Sequence, residues 1–223
     1  MPRATNLEDI KMSMDWIWKS VRERGLGHTL KVITSVLADL DFDLRYSTDT
    51  IGRVAKEALP GSSGYSATKA RAFLELMRKL DLPRGVGFVD LGSGKGRVLM
   101  LAALAGFERI IGVEYSERLC EIARTNLRRF VHKTGVNAQI EVIQSDVINF
   151  RFSPEQSIFF LYNPFGKEAL DLMLENLSDS LAECFRPVWL IYNTPVYEES
   201  FTRRFGRGQS FEIEGSLFKV YHP

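Results

Sequence analysis

The chain has 223 residues, 45% of them hydrophobic and 26% charged, and its 29 Lys and Arg against 28 Asp and Glu leave a formal net charge of +1. This is ordinary globular composition, enough for one domain plus an extension, and it gives no overall attraction to nucleic acid or an acidic membrane surface. Two isolated cysteines, Cys120 and Cys184, exclude a disulfide framework and point to reduced thiols in a cytoplasmic protein; no apolar run reaches the roughly 18 residues of a membrane span, and Met1-Pro-Arg-Ala-Thr-Asn-Leu-Glu-Asp9 lacks a signal core.

The first elements read as helices. Ile10, Met14, Ile17, Trp18 and Val21 share one helical face until Gly25-Leu-Gly27 interrupts it. A second helix is expected from His28 to Leu40, burying Val32, Ile33, Val36, Leu37 and Leu40, and a short one over 51–59. Pro60-Gly-Ser-Ser-Gly64 is the best linker in the chain, which divides it into an N-terminal helical extension, 1–64, and a main domain, 65–223. A helix over 66–80 opens that domain with Ala70, Phe73, Leu74, Met77 and Leu80 inward.

From Leu82 the pattern alternates between strand and helix. Near-continuous apolar runs predict strands at 87–91, 109–114, 139–145, 157–162 and 188–193, as expected of parallel strands covered on both faces. Helices are expected at 96–106, 116–133 and 167–184, the second with Leu119, Ile122, Ala123, Leu127, Phe130 and Val131 inward. Residues 210–221 read as a hairpin turning at Glu214-Gly215. The fold class is therefore α/β: a Rossmann-like, doubly wound, mostly parallel seven-stranded sheet closed by a C-terminal antiparallel hairpin. Ligands of such sheets sit at the carboxyl ends of the strands.

Four strand ends carry the chemistry. The first, Phe88-Val-Asp-Leu-Gly-Ser-Gly-Lys-Gly96, ends in Asp90 and a turn with glycine at 92, 94 and 96. Without Cβ atoms the turn can bend sharply and let a ligand lie on the main chain. Its GxGxG spacing differs from the GxGxxG of dinucleotide sites, and Lys95 is followed by Gly96 rather than the Ser or Thr of a phosphate-binding loop. The second, Arg109-Ile-Ile-Gly-Val-Glu114, ends in an acid suited to accept both hydroxyls of a ribose. The third ends in Asp146, placed to receive an adenine amino group. The fourth, Phe159-Phe-Leu-Tyr-Asn-Pro-Phe-Gly166, ends in a polar group on a proline-stiffened turn between aromatic rings.

Taken together, Val89–Gly96, Gly112-Val-Glu-Tyr115, Ser145-Asp146 and Tyr162-Asn-Pro-Phe165 resemble the class I S-adenosylmethionine-dependent methyltransferases, over about Tyr65 to Trp189. The resemblance implies S-adenosylmethionine as cofactor. It assigns Gly92, Ser93, Gly94 and Gly96 to the methionine portion and ribose, Asp90 to the methionine amino group, Glu114 to the ribose, and Asp146 with Tyr115 to the adenine. Tyr162, Asn163, Pro164 and Phe165 resemble the family's Asn/Asp-Pro-Pro-aromatic element, which holds the acceptor nitrogen in several N-methyltransferases. Here Phe165 replaces the second proline and Gly166 the aromatic. Phe42-Asp-Leu-Arg-Tyr-Ser-Thr-Asp-Thr50 and Tyr65 also resemble elements of a bacterial branch of the superfamily.

Each residue has a plainer alternative. Glu114 reads otherwise as a surface acid, Asp146 as a cap for the next turn, Asn163 as a turn residue, and Tyr65 as a hydrophobic staple rather than a cover for the methionine end. Lys95 and Arg97 read as attractors of the cofactor's carboxylate or as solvated cations. Arg124, Arg128, Arg129, His132 and Lys133 form a basic helix face, read as solvated rather than as a nucleic-acid site. Trp16 and Trp18 read as packing on their own domain rather than on a membrane. No metal spacing or nucleophilic triad can be assembled. The expectation is a cytoplasmic methyltransferase acting on a protein lysine, favoured by the resemblance of the glycine turn to that of some protein-lysine methyltransferases, or on a small molecule. An NAD-dependent oxidoreductase and a non-catalytic S-adenosylmethionine-binding module are the alternatives.

Overall fold

The computed structural model describes residue 19 and residues 21–23, 25–51 and 67–222. Of the helix read from Ile10 to Val21 only residues 19 and 21 are described, and both are helical; the helix over 51–59, the 60–64 linker, the 64/65 division and Tyr65 fall outside those residues, apart from Ile51 itself. The chain forms two compact units, 1–41 and 42–223. Helix α1, Leu26–Tyr46, runs across that division, starting earlier and ending later than expected. Its side chains Leu37 and Leu40 are 58% and 43% exposed, against the expectation that they are buried. Periodicity defines an apolar face but not whether anything covers it.

The larger unit is built on one seven-stranded sheet in the order β3-β2-β1-β4-β5-β7-β6. Strands β1 (Gly87–Leu91), β2 (Arg109–Glu114), β3 (Gln139–Gln144), β4 (Gln156–Leu161) and β5 (Trp189–Asn193) are parallel. Strands β6 (Gln209–Ile213) and β7 (Ser216–Tyr221) form the expected antiparallel hairpin. Its turn has φ of 48° at Glu214 and 72° at Gly215, the two left-handed residues a type I′ turn requires.

Alternation along the strands sends successive side chains to opposite faces. Phe88, Ile110, Ile158 and Phe160 join one core with helices α2 (Ala70–Lys79), α3 (Arg97–Leu104) and α4 (Glu117–Thr134). Val89, Leu91, Val113 and Phe159 join the other with α5 (Lys167–Glu183) and Phe201 of α6 (Glu198–Phe205). Every residue of β1 and β4 is buried, which explains their unbroken apolar runs. By the same alternation Asp90, Gly112 and Glu114 share the face of α3 and α4.

Helix α4 departs from its expected stripe. Val131 is 37% exposed, whereas the polar Asn126 is 1% exposed, a substitution of roles that hydropathy could not signal. The α6 helix and a 3₁₀ turn over Val147–Asn149 were not anticipated either.

Candidate active site

The strand order reverses between β1 and β4, and the loops leaving these two strands meet. Gly92, Gly94 and Gly96 have φ of 83°, 53° and 82°. The Gly92 and Ser93 N–H groups both donate to the Val113 carbonyl, at 2.8 and 3.0 Å, so the chain folds back over β2. A Cβ at Gly92 would lie 2.1 Å from Cβ of Pro164, in the loop after β4. A Cβ at Gly112 would lie 2.7 Å from the Ser93 Oγ. These glycines therefore permit close approach as well as left-handed backbone.

Glu114, at the end of β2, grips the turn. Its Oε2 accepts the Gly94 N–H at 2.8 Å and its Oε1 accepts the Ser116 N–H at 2.9 Å. Asp90 is 3% exposed; burial, reinforced by the Glu114 carboxylate, holds its carboxyl well above the usual range. The Ser93 hydroxyl is buried and has no hydrogen-bond partner among the described residues. Tyr115, beside Glu114, is 52% exposed, an aromatic face open to a ligand. Asp146 realises its plainer reading: it heads the 3₁₀ turn and accepts the Ile148 N–H at 3.2 Å. A carboxylate offers about four acceptor positions, so this cap leaves it able to accept an amino group.

Asn163 stands in a left-handed conformation, φ 43°, immediately before Pro164. Thr194, its neighbour at the end of β5, repeats this with φ 52° before Pro195. Left-handed non-glycine residues cost about 1–3 kcal/mol each, and a following proline restricts the backbone further. The amide of Asn163 offsets this by joining the two turns. Its Nδ2 donates to the Thr194 carbonyl, while its Oδ1 accepts from the Tyr192 hydroxyl at 2.6 Å and the Val196 N–H at 3.4 Å. Tyr192 is buried, and desolvation raises its hydroxyl's pKa, keeping it a neutral donor. Both acceptor positions of the Asn163 oxygen are thus occupied within the chain. Tyr162 and Phe165 are half-buried, against opposite cores. The second turn was overlooked in the sequence, although Tyr192-Asn-Thr-Pro195 echoes Tyr162-Asn-Pro164.

Lys95 and Arg97 are not the solvated cations of their plainer reading. Both are buried, and the structure commits them to residues 43–51 and 68 of the same unit, not to solvent. The basic face of α4 is exposed, as expected of a solvated face, although Arg124, Arg129 and Lys133 also donate to the carbonyls of Val142, Ser47 and Arg45. Among the described residues no group of three metal-binding side chains occurs, and no helix is long and apolar enough to cross a membrane.

A family model described as histone methylation protein DOT1 matches residues 60–159, which take in the glycine turn, Glu114 and Asp146 and stop short of Asn163. A ribosomal protein L11 methyltransferase of Tolumonas auensis is 28% identical over 148 residues, 60% of this chain and 49% of the relative. Over these residues the chain is similar to S-adenosylmethionine-dependent methyltransferases, in line with the class I resemblance of its motifs. It spans about half the length of that curated relative. Two solved superfamily structures share its fold. An RNA methyltransferase of Salinibacter ruber in complex with S-adenosylhomocysteine is 23% identical, with TM-score 0.50 over 67% of this chain and 88% of that one. A SAM-dependent methyltransferase of Aquifex aeolicus is 18% identical, with TM-score 0.52 over 70% and 93%. These likenesses favour the methyltransferase reading over the dinucleotide one, in line with the GxGxG spacing. The residues here are also of the kinds that S-adenosylmethionine calls for: a turn of three left-handed glycines, packed at Gly92 against Pro164, with acids at or just past the ends of β1, β2 and β3.

Proposed function

We propose that this methyltransferase transfers a methyl group from S-adenosylmethionine to an amino nitrogen of a protein, with a lysine side chain as the favoured acceptor. The observation that carries the reading is the contact of Gly92 with Pro164, which sets the cofactor cradle against the Asn163 turn. In this reading Gly92 to Gly96 and Asp90 hold the methionine portion, Glu114 the ribose, and Asp146 and Tyr115 the adenine. The bound cofactor supplies an electrophilic methyl group.

The chain supplies alignment. Holding an acceptor in line at near-contact distance is worth about 7–11 kcal/mol, so a strong acid–base pair beside the methyl is not required. An amine attacks only as the neutral species. Tyr162, Asn163 and Phe165 bring no formal charge to the end of β4, and such surroundings disfavour an ammonium by desolvation. Asn163 acts by fixing the Pro164 and Pro195 turns, because its oxygen is already doubly bonded to donors. The DOT1 model and the L11 methyltransferase are both named for protein methylation, and this is the support for a protein acceptor.

The test is incubation with radiolabelled S-adenosylmethionine and host lysate, followed by fractionation and amino-acid analysis. Label in methylated lysine is expected. Label only in nucleic acid or small metabolites would overturn the acceptor assignment.

A further inference from the structure

Residues 42–51 are bonded to the glycine turn through side chains that no cofactor contact explains. Asn126 of α4, 1% exposed, is the hub. Its Oδ1 accepts the Asp49 N–H at 2.9 Å, and its Nδ2 donates to the Asp49 carbonyl at 3.1 Å and the Lys95 carbonyl at 3.0 Å. Lys95, inside the turn, returns the connection: its Nζ donates to the Asp49 carboxylate and the Ile51 carbonyl, both at 3.1 Å. One residue beyond the turn, Arg97 donates to the Thr50 hydroxyl at 2.6 Å and the Thr68 carbonyl at 2.9 Å, with its guanidinium 4.5 Å from the Phe42 ring centroid. Asp43 shapes the segment itself, accepting from the Thr48 and Thr50 hydroxyls and from the N–H groups of Thr50 and Ile51.

A turn with three left-handed glycines samples many conformations when free, and its ordering opposes ligand binding. The Glu114 carboxylate holds it from β2. The Asp49–Asn126–Lys95 ring holds it from the other side.

We propose that Asn126 and Lys95 are positioning residues for the cofactor, latching the strap 42–51 onto the glycine turn so that cofactor affinity depends on a segment N-terminal to the catalytic domain's sheet. This rests on the reading of the turn as the cofactor cradle. Because binding free energies are reciprocal, cofactor binding in turn tightens the strap.

The experiment measures S-adenosylhomocysteine affinity by calorimetry for the full chain and for Asn126→Ala, Lys95→Met and the double variant, with hydrogen exchange of the wild type. Each single variant is expected to bind at least about fivefold more weakly, as loss of one organising hydrogen bond implies. The double variant should bind no more weakly than the worse single, since either change opens the same ring. In the wild type, S-adenosylhomocysteine should slow exchange of the amides of residues 48–51 several-fold, a response that a merely structural strap would not give. Weak binding by Lys95→Met with wild-type affinity in Asn126→Ala would return Lys95 to the cofactor's carboxylate and overturn the latch. So would unchanged exchange at 48–51 on binding, even if both variants failed to fold. No binding by the wild type would instead remove the cradle reading itself.

Discussion

Glu114→Gln is the sharpest single change the site allows. Both carboxylate oxygens now accept backbone N–H groups, from Gly94 at 2.8 Å and Ser116 at 2.9 Å. Glutamine keeps the size but has one acceptor oxygen, so its NH₂ must face one of the two donors. A hydrogen bond to a charged group is worth about 1.5–3 kcal/mol, and an abandoned partly buried donor adds its desolvation cost. Release of the Gly94 side would loosen the cradle, and the ribose would lose a charged acceptor in the reading above. A loss of about 1.4–2.8 kcal/mol in S-adenosylhomocysteine affinity is therefore expected, a ten- to hundredfold rise in Kd. Glu114→Ala should cost at least as much, because alanine recovers neither bond. Calorimetry with both variants checks this, with circular dichroism to confirm folding. Wild-type affinity in the glutamine variant would show that the negative charge at 114 serves neither the turn nor the ligand.

Two further predictions concern neighbouring positions. Asp90→Asn should flatten the pH dependence of stability. The folded pKa of Asp90 lies well above its ordinary value of 3.8, so the native state holds its proton longer than the unfolded chain. Stability from this group is complete below that ordinary value and is lost as pH rises through the raised one. Urea unfolding of wild type and Asp90→Asn at pH 5 and pH 8 should show the wild type losing more; parallel losses would refute the burial cost. Gly92→Ala should destabilise by about 2–4 kcal/mol, combining the left-handed penalty with the overlap on Pro164, or roughly 5–15 °C in Tm. Gly135→Ala, also left-handed at φ 65° but facing open space, should cost only about 1–2 kcal/mol. Equal shifts in the two variants would show that the contact with Pro164 carries no energy.

The sheet was legible because parallel strands buried on both faces leave unbroken apolar runs: β1, β2, β4 and β5 lie within a residue of their expected bounds. The proposed cofactor side stands out in the sequence for a related reason. A backbone that meets a ligand needs glycine, and hydroxyls and amines need carboxylates, so chemistry restricts residue type at fixed places along the chain. The α6 helix carries Glu198, Glu199, Arg203 and Arg204 in eight residues and showed no clear apolar period. It is held by Phe201 against the second core, which only the folded chain provides.

Sequence by itself thus determined the strand order's raw material, the glycine turn and the acids that follow three strands. Tertiary structure decided what the remaining polar residues do. Lys95, Arg97 and Asn126 carry no periodic signature, and their partners lie 29 to 77 positions away in the chain. The pairing of the Asn163 and Thr194 turns likewise exists only because β4 and β5 run side by side with Leu161 opposite Tyr192. Hydrophobic burial is largely a property of each segment's own pattern, whereas a hydrogen bond needs a second group at about 3 Å, and only the fold brings that group there.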